Sequence, residues 1–271
     1  MKAPVRRLVV CIDDFGWRPG VDQAVLELAQ LGAVSATSCM VGSPRWTSSA
    51  TGLRALPPGT LDIGLHVDFT LSPLDKSLRC ELGAFIARAY LGRLSPVRIA
   101  MEVRAQFDAF EQVMGRVPDH VDGHHHVHQL PVVQDAILEE FARRGLRRTW
   151  LRGTQAPRGE HGLKPRLIAA LGGKRLRARA AKLGIPVSGH LLGAYGFDSD
   201  PQAYERLLAD WLQRAMDGDV LMCHPAYQGP DAVGDVFAPA RANEVRVLAS
   251  DAWPRLLAQA GVTVSRFAPP A

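Results

Sequence analysis

The stretch Leu8-Val9-Val10-Cys11-Ile12-Asp13-Asp14-Phe15-Gly16 opens the pattern from which the fold of this chain is predicted. Its apolar run stops at two aspartates and a turn-forming glycine, which is typical of a buried strand with a polar end. A helical pattern follows from Pro19 to Leu31 and is closed by Gly32. The stretch therefore predicts a first β-strand and α-helix unit.

The same alternation of short apolar runs and longer helical patterns continues along the chain. No linker, low-complexity tract or repeat divides it, so we expect one domain over residues 1–271. Residues 70–94 show no clear period and are predicted to be an irregular excursion, whereas 154–189 are mixed and mostly helical. Further strands are predicted at 34–41, 61–67, 120–126, 147–151, 220–223 and 262–267, and helices near 44–56, 96–114, 131–144, 201–217 and 241–259.

The composition is that of an ordinary soluble globular protein. The 271 residues are 47% hydrophobic and 22% charged, with a formal charge of +5. No run approaches the roughly 20 apolar residues of a membrane span, and the first apolar run is too short for the core of a signal peptide. The cysteines are far apart and form no C-x-x-C pair, so we expect reduced thiols and a cytoplasmic protein without export.

One basic segment, residues 174–182, stands out from the otherwise scattered arginines. Its i, i+4 spacing with apolar residues between the charges favours a solvated helix face. An acidic polymer or a membrane surface is the alternative partner. No nucleic-acid-binding motif accompanies the charge, so we expect no nucleic acid.

Five polar residues lie at the carboxyl ends of predicted strands: Asp13, Asp14, His66, His124 and His224. Strands of an open sheet lie about 4.8 Å apart, so six or seven strands could separate these residues by more than about 20 Å. A closed barrel brings all of them to one rim, where barrel enzymes assemble their sites. The sequence therefore favours an α/β fold of the distorted TIM-like (β/α) barrel type, with eight strands or fewer.

These five residues also form a coherent chemical set. One carboxylate and two imidazoles suit a divalent metal and leave positions open for water and substrate. Of the adjacent aspartates, one would bind the metal and the other would take a proton from the attacking water. His224 is then available to protonate the leaving group. Each residue alone has a structural explanation, such as a helix cap or a turn, but their agreement at one rim predicts metal-assisted hydrolysis of an amide or ester.

The segment from His120 to His128 contains five of the nine histidines. Alternation along a strand predicts that His126 shares the side of His124 and reaches the second layer of the site or the substrate. His125 is predicted to face away, and Asp122, on the same side as His125, to be structural. Of the histidines in this segment, only His124 is expected to be a metal ligand.

Four segments resemble the YdjC, or ChbG/HpnK, family of carbohydrate deacetylases: IDDFG at 12–16, GLHVDFTL at 64–71, HVDGHHHVHQLP at 120–131 and LMCHPA at 221–226. The resemblance implies a distorted TIM-like barrel, distantly similar to the NodB-type polysaccharide deacetylases. It also implies a hydrolase acting on linear amide C–N bonds, which removes an acetyl group from an N-acetylated amino sugar or short oligosaccharide.

The family pattern assigns a role to each matching residue. Asp14, His66 and His124 match its metal ligands, Asp13 matches its catalytic base, and His224 matches its late histidine, the expected acid. The sequence departs from the pattern at a few positions that remove no ligand: Ile12 for a frequent alanine, Asp68 and Phe69 after the GLH motif, and Gly123 for a frequent serine.

Three further residues are candidates for substrate contact. His126 belongs to the histidine run. Arg152, near the end of the fifth strand, would orient a carboxylate at the rim or form a surface salt bridge, and Trp17 would offer a stacking face for a sugar.

The resemblance also sets the expected cofactor and partners. Magnesium is the family's metal, although two imidazoles also suit zinc or cobalt. We expect a small amino-sugar substrate and no membrane span, and we keep a homodimer as a candidate assembly. Two other functions stay open: another barrel metallohydrolase, such as an amidohydrolase or phosphoesterase, and a non-catalytic metal- or sugar-binding module.

Overall fold

A computed structural model of the chain describes residues 5–160, 162–232 and 234–268. The ends of the expected 1–271 domain, residues 1–4 and 269–271, lie outside this range. Strands and helices alternate over most of the described residues. Their order is β1 (Arg6–Phe15), α1 (Pro19–Gln30), β2 (Ala36–Cys39), α2 (Trp46–Ala55), β3 (Asp62–Val67), α3 (Leu82–Tyr90), α4 (Pro96–Met114), β4 (His120–Gly123), α5 (Val133–Arg144), β5 (Trp150–Leu151), α6 (Leu163–Ala170), α7 (Gly173–Lys182), β6 (Leu191–Leu192), α8 (Pro201–Arg214), β7 (Asp219–Cys223), α9 (Ala238–Leu248), α10 (Ala252–Ala260) and β8 (Val262–Val264).

All strand pairings among the described residues are parallel, and β1 lies at the centre of the sheet. The order across the sheet is β5-β4-β3-β2-β1-β7-β6, with β8 beside the start of β1. At the outer edges, Leu151 of β5 forms a parallel bridge with Val187, which shortly precedes β6. Seven of the eight strands thus form a half-barrel wall, which confirms the predicted α/β fold of the distorted barrel type.

The apolar run from Leu8 onward lies in β1, the central strand, where both faces of the sheet are covered. Every residue from Leu8 to Phe15 is buried, as expected for a parallel strand with packed layers on both sides. Predicted helix ends are also confirmed. The Ser95 side chain accepts the Arg98 backbone N–H at the start of α4, and Gly115, at φ 69°, ends it.

The structure differs from the predicted elements in several places. The excursion at 70–94 contains α3, whose two turns were too short to show a clear period, and Glu81 caps its first amides. The last predicted helix is two helices, α9 and α10. Strand β6 was not predicted because two residues carry no period. The strand predicted at 120–126 ends at Gly123, after which the chain turns into a 3-10 helix at His124–Gln129.

None of the described helices combines the length and the apolar character needed to cross a membrane. Cys11, Cys39 and Cys223 are buried, Cys80 is half-buried, and all four are free thiols.

Candidate active site

A cleft of about 220 Å³ lies at the carboxyl ends of β1, β3, β4 and β7. It brings together all five residues predicted from the strand ends. A larger surface groove of about 470 Å³ beside α9 has no comparable cluster of titratable groups. The polar lining of the cleft consists of Asp13, Asp14, His66, His124, His125, His126, Lys164, His224 and Arg241, and the apolar lining of Leu82, Ile86, Ile168, Leu171, Phe197, Met222 and Phe237.

A local distortion of β1 allows two adjacent aspartates to face one cleft. The pairing of β1 with β2 shifts register between Ile12 and Phe15, and Asp14 has a left-handed φ of 70°. In a regular strand, neighbouring side chains would point to opposite faces. Aspartate is one of the few residues other than glycine that adopt this left-handed backbone region. The strand end thus places both Asp13 and Asp14 in the lining.

Asp14, His66 and His124 form a compact set of potential metal ligands. Asp14 Oδ1 lies 2.9 Å from His124 Nδ1 and 3.4 Å from His66 Nε2. One ligand atom from each of the three residues lies within 4.8 Å of the others. The second carboxylate oxygen, Asp14 Oδ2, is buried and has no hydrogen-bond partner among the described residues. The nearest cationic group, Arg241, lies 3.5 Å from this oxygen, beyond a close hydrogen bond. A carboxylate oxygen that accepts no hydrogen bond, beside two imidazoles, fits a divalent cation.

The guanidinium of Arg152 argues against a metal at two neighbouring groups of potential ligands. These groups are Cys11, His120 and Asp122, and Asp13, His66 and Asp122. Arg152 nitrogens lie 2.6 Å from both oxygens of Asp13, 2.5 Å from Asp122 Oδ2 and 2.9 Å from Cys11 Sγ. A permanent positive charge therefore already compensates these carboxylates. The set of Asp14, His66 and His124 is the best candidate metal site among the described residues.

Asp122 orients one of the imidazoles of this set. His66 Nδ1 donates to Asp122 Oδ1 at 2.6 Å, which leaves Nε2 directed at Asp14. Burial alone would lower the pKa of His66, but the Asp122 carboxylate, assisted by Asp14 and Asp13, raises it to about 10. Without a cation, a proton on His66 thus balances the surrounding negative charge.

We expect metal binding to displace this proton. Since the pKa of His66 without metal is about 10, the apparent metal affinity should rise about tenfold per pH unit through the neutral range. Calorimetry in buffers of different ionisation enthalpy measures both the affinity and the released proton. An affinity that does not change with pH would exclude His66 as a ligand that competes with a proton.

Asp122→Asn should lower metal affinity about 10–100-fold, because the carboxylate that holds the His66 ring is lost. Ser38→Ala is the matched control. Ser38 Oγ donates to the other oxygen of Asp122, at 2.5 Å, and not to His66. This control should bind metal nearly as well as wild type in the same calorimetric measurement. Equal losses in both variants would show that general packing, and not the orientation of His66, sets the affinity.

Asp13 and His224 lie next to the candidate ligands. The two hydrogen bonds from Arg152 hold both oxygens of Asp13, and His224 Nε2 lies 3.8 Å from Asp13 Oδ2. Burial lowers the pKa of His224 to about 4, although Asp13 and Asp14 act to raise it. The imidazole is therefore neutral at neutral pH.

A buried carboxylate, Glu244, fixes the loop that carries His224. Its two oxygens accept the His224 backbone N–H and the Tyr195 hydroxyl, each at 2.6 Å. Burial raises the pKa of Glu244 to about 7, although these hydrogen bonds and Arg241 lower it. The ring of Phe197 packs edge-on against His224, with ring centres 5.2 Å apart. These contacts hold His224 at the cleft.

The chain matches a known protein family over most of its length. The model of the family of YdjC-like proteins matches residues 7–259. The chain belongs to the YdjC family. Curated relatives agree with this assignment. A chitooligosaccharide deacetylase of Yersinia enterocolitica serotype O:8 / biotype 1B is 30% identical over 269 residues, which cover 96% of this chain and 97% of the relative. A protein of the same name from Yersinia pestis bv. Antiqua (strain Angola) is 29% identical with the same coverage.

Solved structures support the fold of this YdjC-family chain. A protein from Enterococcus faecalis V583, provisionally named a cellobiose-phosphate cleavage protein, superposes with a TM-score of 0.73 at 20% identity, over 96% of this chain and 97% of the other. The Bc1960 peptidoglycan N-acetylglucosamine deacetylase superposes with a TM-score of 0.51 at 9% identity, over 96% and 85%. At these identities the likeness concerns the fold alone.

The prediction that His125 faces away from the site is wrong. His125 and His126 have left-handed φ angles of 53° and 60°, so strand alternation does not apply after Gly123. His124, His125 and His126 all line the cleft. A Cβ at position 123 would lie 2.8 Å from the His128 backbone nitrogen, so glycine permits the tight turn at this position.

Two residues predicted to contact substrate, Arg152 and Trp17, are not part of the cleft lining of the YdjC-family chain. Arg152 is fully buried below Asp13 and has no direct route to a substrate. Of its predicted roles, the orientation of a carboxylate agrees with its contacts. Trp17 is half-buried, with the guanidinium carbons of Arg18 and Arg241 4.1 Å and 5.0 Å from its ring centre, and it is not part of the cleft lining.

Sequence reasoning missed the cleft residues supplied by helices and loops. Arg241 approaches Asp14 Oδ2 at 3.5 Å, and Lys164 donates to the Tyr195 carbonyl at 2.7 Å while facing the Phe197 ring. The sequence placed Arg241 only at the start of a helix. Nothing in these segments marked them as neighbours of the strand ends.

Proposed function

We propose that this protein is a metal-dependent hydrolase that removes the acetyl group from an N-acetylated amino sugar or a short oligosaccharide. The observation that carries the proposal is the cluster of Asp14, His66 and His124, with Asp13 and His224 beside it in one cleft. The shared name of the Yersinia relatives, chitooligosaccharide deacetylase, supports the substrate class. We propose residues 1–271 as a single catalytic domain.

Asp14, His66 and His124 would hold the divalent cation. When bound there, the cation would polarise the acetamide carbonyl and lower the pKa of a water molecule. Magnesium is the metal expected from the family, and the two imidazoles also suit zinc or cobalt.

Asp13 acts as the general base in this proposal. Arg152 holds both of its oxygens, so the carboxylate keeps one orientation toward the cleft. It accepts the proton that the attacking water loses when the carbonyl is attacked. The buried guanidinium also balances the charge of the carboxylate in the resting site.

His224 passes a proton to the leaving amine. With a pKa near 4 the imidazole is neutral at rest, so it must gain a proton before it can donate one. Asp13, 3.8 Å away, is a close source once it has taken the proton from water. The net transfer therefore runs from water through Asp13 and His224 to the sugar nitrogen.

The remaining cleft walls suit a small glycan. Phe197 and Phe237 offer aromatic faces, and the aliphatic side chains of Leu82, Ile86, Ile168 and Leu171 exclude water. Sugar rings present apolar C–H faces that pack against such surfaces, while hydroxyl groups bind the polar lining.

The proposal is tested by acetate release from N-acetylglucosamine and its short oligomers. The protein is stripped with a chelator and assayed with magnesium, zinc or cobalt, and bound metal is counted in parallel. We expect one metal per chain and metal-dependent release of acetate. Several metals per chain without turnover would favour a binding module, and hydrolysis of a phosphate ester in place of the amide would favour another metallohydrolase.

A further inference from the structure

An apolar stripe on α3 leads out of the cleft to the protein surface. Leu82, Ile86 and Tyr90 follow one another at i, i+4 spacing and therefore share one helix face. The first two line the cleft, whereas Tyr90 is 52% exposed and is followed by Leu91, which is 64% exposed. The apolar wall of the cleft thus continues into solvent.

A second stripe, on α6, runs in the same way. Leu163, Leu167 and Leu171 are again spaced at i, i+4. Leu171 lines the cleft, and Leu163 and Leu167 are 72% and 57% exposed. Both helices therefore border the cleft and leave large apolar side chains uncovered beside its mouth. Exposed apolar groups clustered at a functional opening mark a site of contact with a partner.

Uncompensated positive charge flanks these side chains. Residues 163–184 contain seven Lys and Arg residues and no Asp or Glu. On α7, which packs against α6, Arg179 is paired with Asp135, whereas the exposed Lys174, Arg175 and Lys182 have no ion pair within the described residues.

Arg175 of α7 lies close enough to Tyr90 of α3 to influence its hydroxyl group. Burial raises the pKa of the Tyr90 hydroxyl, whereas the neighbouring Arg175 guanidinium lowers it. Arg175 of α7 is therefore a neighbour of Tyr90 of α3. Because α7 packs against α6, and both α3 and α6 line the cleft, these basic and apolar groups flank the same opening.

We propose that this docking face, formed by Tyr90, Leu91, Leu163, Leu167, Lys174 and Arg175, binds the surface of an anionic lipid bilayer and turns the cleft toward it. Exposed leucines and an aromatic ring enter the boundary between headgroups and acyl chains, and the basic side chains contact the anionic headgroups. A second copy of the chain fits less well, because a two-fold contact would place the same cations against one another. A neutral glycan would leave these cations without partners.

Vesicle flotation with the full-length protein tests this proposal. We expect binding to vesicles of phosphatidylcholine with phosphatidylglycerol, little binding to phosphatidylcholine alone, and loss of binding at high salt. Lys174→Glu with Arg175→Glu should lower the partition coefficient at least about fivefold per position. Leu163→Ser with Leu167→Ser should lower it about tenfold or more, because their apolar area is no longer buried.

Matched control variants lie outside the docking face. Leu31 follows α1 and Val117 precedes β4, so both lie toward the amino ends of the strands, opposite the cleft; they are 64% and 42% exposed, and Leu31→Ser with Val117→Ser removes apolar surface there. Arg206→Glu with Arg255→Glu reverses two exposed charges on α8 and α10, which carry no residue of the docking face. Both controls should bind vesicles like the wild type, and thermal unfolding should show that all four variants remain folded.

Three outcomes would overturn the proposal: no binding to anionic vesicles, equal binding to both vesicle types, or equal losses in control and test variants. Light scattering provides a further check. A dimer that is abolished by Leu163→Ser with Leu167→Ser would identify a second copy as the occupant and would also refute the bilayer.

Discussion

Asp13→Asn should lower acetate release by about 10²–10⁴-fold while metal affinity stays close to that of the wild type. The amide keeps the shape of the side chain but cannot accept the proton of the attacking water. Arg152 holds both oxygens of Asp13, so we do not expect Asp13 to be a metal ligand. Steady-state kinetics and metal calorimetry on the same preparation measure the two effects.

The stability of Asp13→Asn must be checked, since the substitution removes one partner of a buried guanidinium. Breaking a buried ion pair costs about 3–5 kcal/mol when the remaining charge has no other partner. Arg152 keeps Asp122 at 2.5 Å, so the free energy of unfolding should fall by less than this. A folded variant that has lost metal binding would mean that Asp13, and not Asp14, is the ligand.

Asp14→Asn should instead remove metal binding, and activity with it. Asparagine tolerates the left-handed backbone at φ 70°, so the substitution mainly replaces a charged ligand oxygen by a neutral one. The loss of affinity should exceed the about 10–100-fold expected for a partner of a ligand, such as Asp122. Activity should recover partly at high metal concentration, whereas the activity of Asp13→Asn should not.

Thermal unfolding provides a measurement of Asp14→Asn that does not depend on activity. A ligand that binds only the folded state raises the unfolding temperature, so metal should stabilise the wild type and not the variant. Burial would raise the pKa of Asp14, but His124, His66 and Arg241 hold it well below the usual range. The carboxylate therefore stabilises the metal-free fold near neutral pH, and this contribution is lost only as the pH falls through its low folded pKa. Equal stabilisation of both proteins by metal would remove Asp14 from the proposed site.

Together the two substitutions separate base from ligand at adjacent positions. The distortion at the end of β1 makes this comparison informative, because both side chains face one cleft and differ in their partners. Asp13 is held by a permanent cation, whereas one oxygen of Asp14 has no hydrogen-bond partner in the described residues.

The strands and helices that the sequence predicted well are those whose burial pattern and end residues are set by side chains close together in the sequence. The β1 run is apolar because both faces of the central strand are covered, and Ser95 and Gly115 bound α4 through their own hydrogen bonds and dihedral angles. Polar residues at strand ends were sufficient to predict one rim, because parallel strands place their carboxyl ends at the same edge.

The sequence by itself thus determined most of the alternation of strands and helices, the α/β class of the distorted barrel type and the five residues at the rim. Only the tertiary structure decided how those residues divide their work. Arg152, directly after β5, pairs with Asp13, and Asp122, from β4, holds His66, because the curved sheet brings distant strands together below the cleft. The turn after Gly123 carries all three adjacent histidines into the lining, which strand alternation cannot predict. Apolar spacing reports which residues are buried, but partners far apart in the chain are set by how the sheet curves.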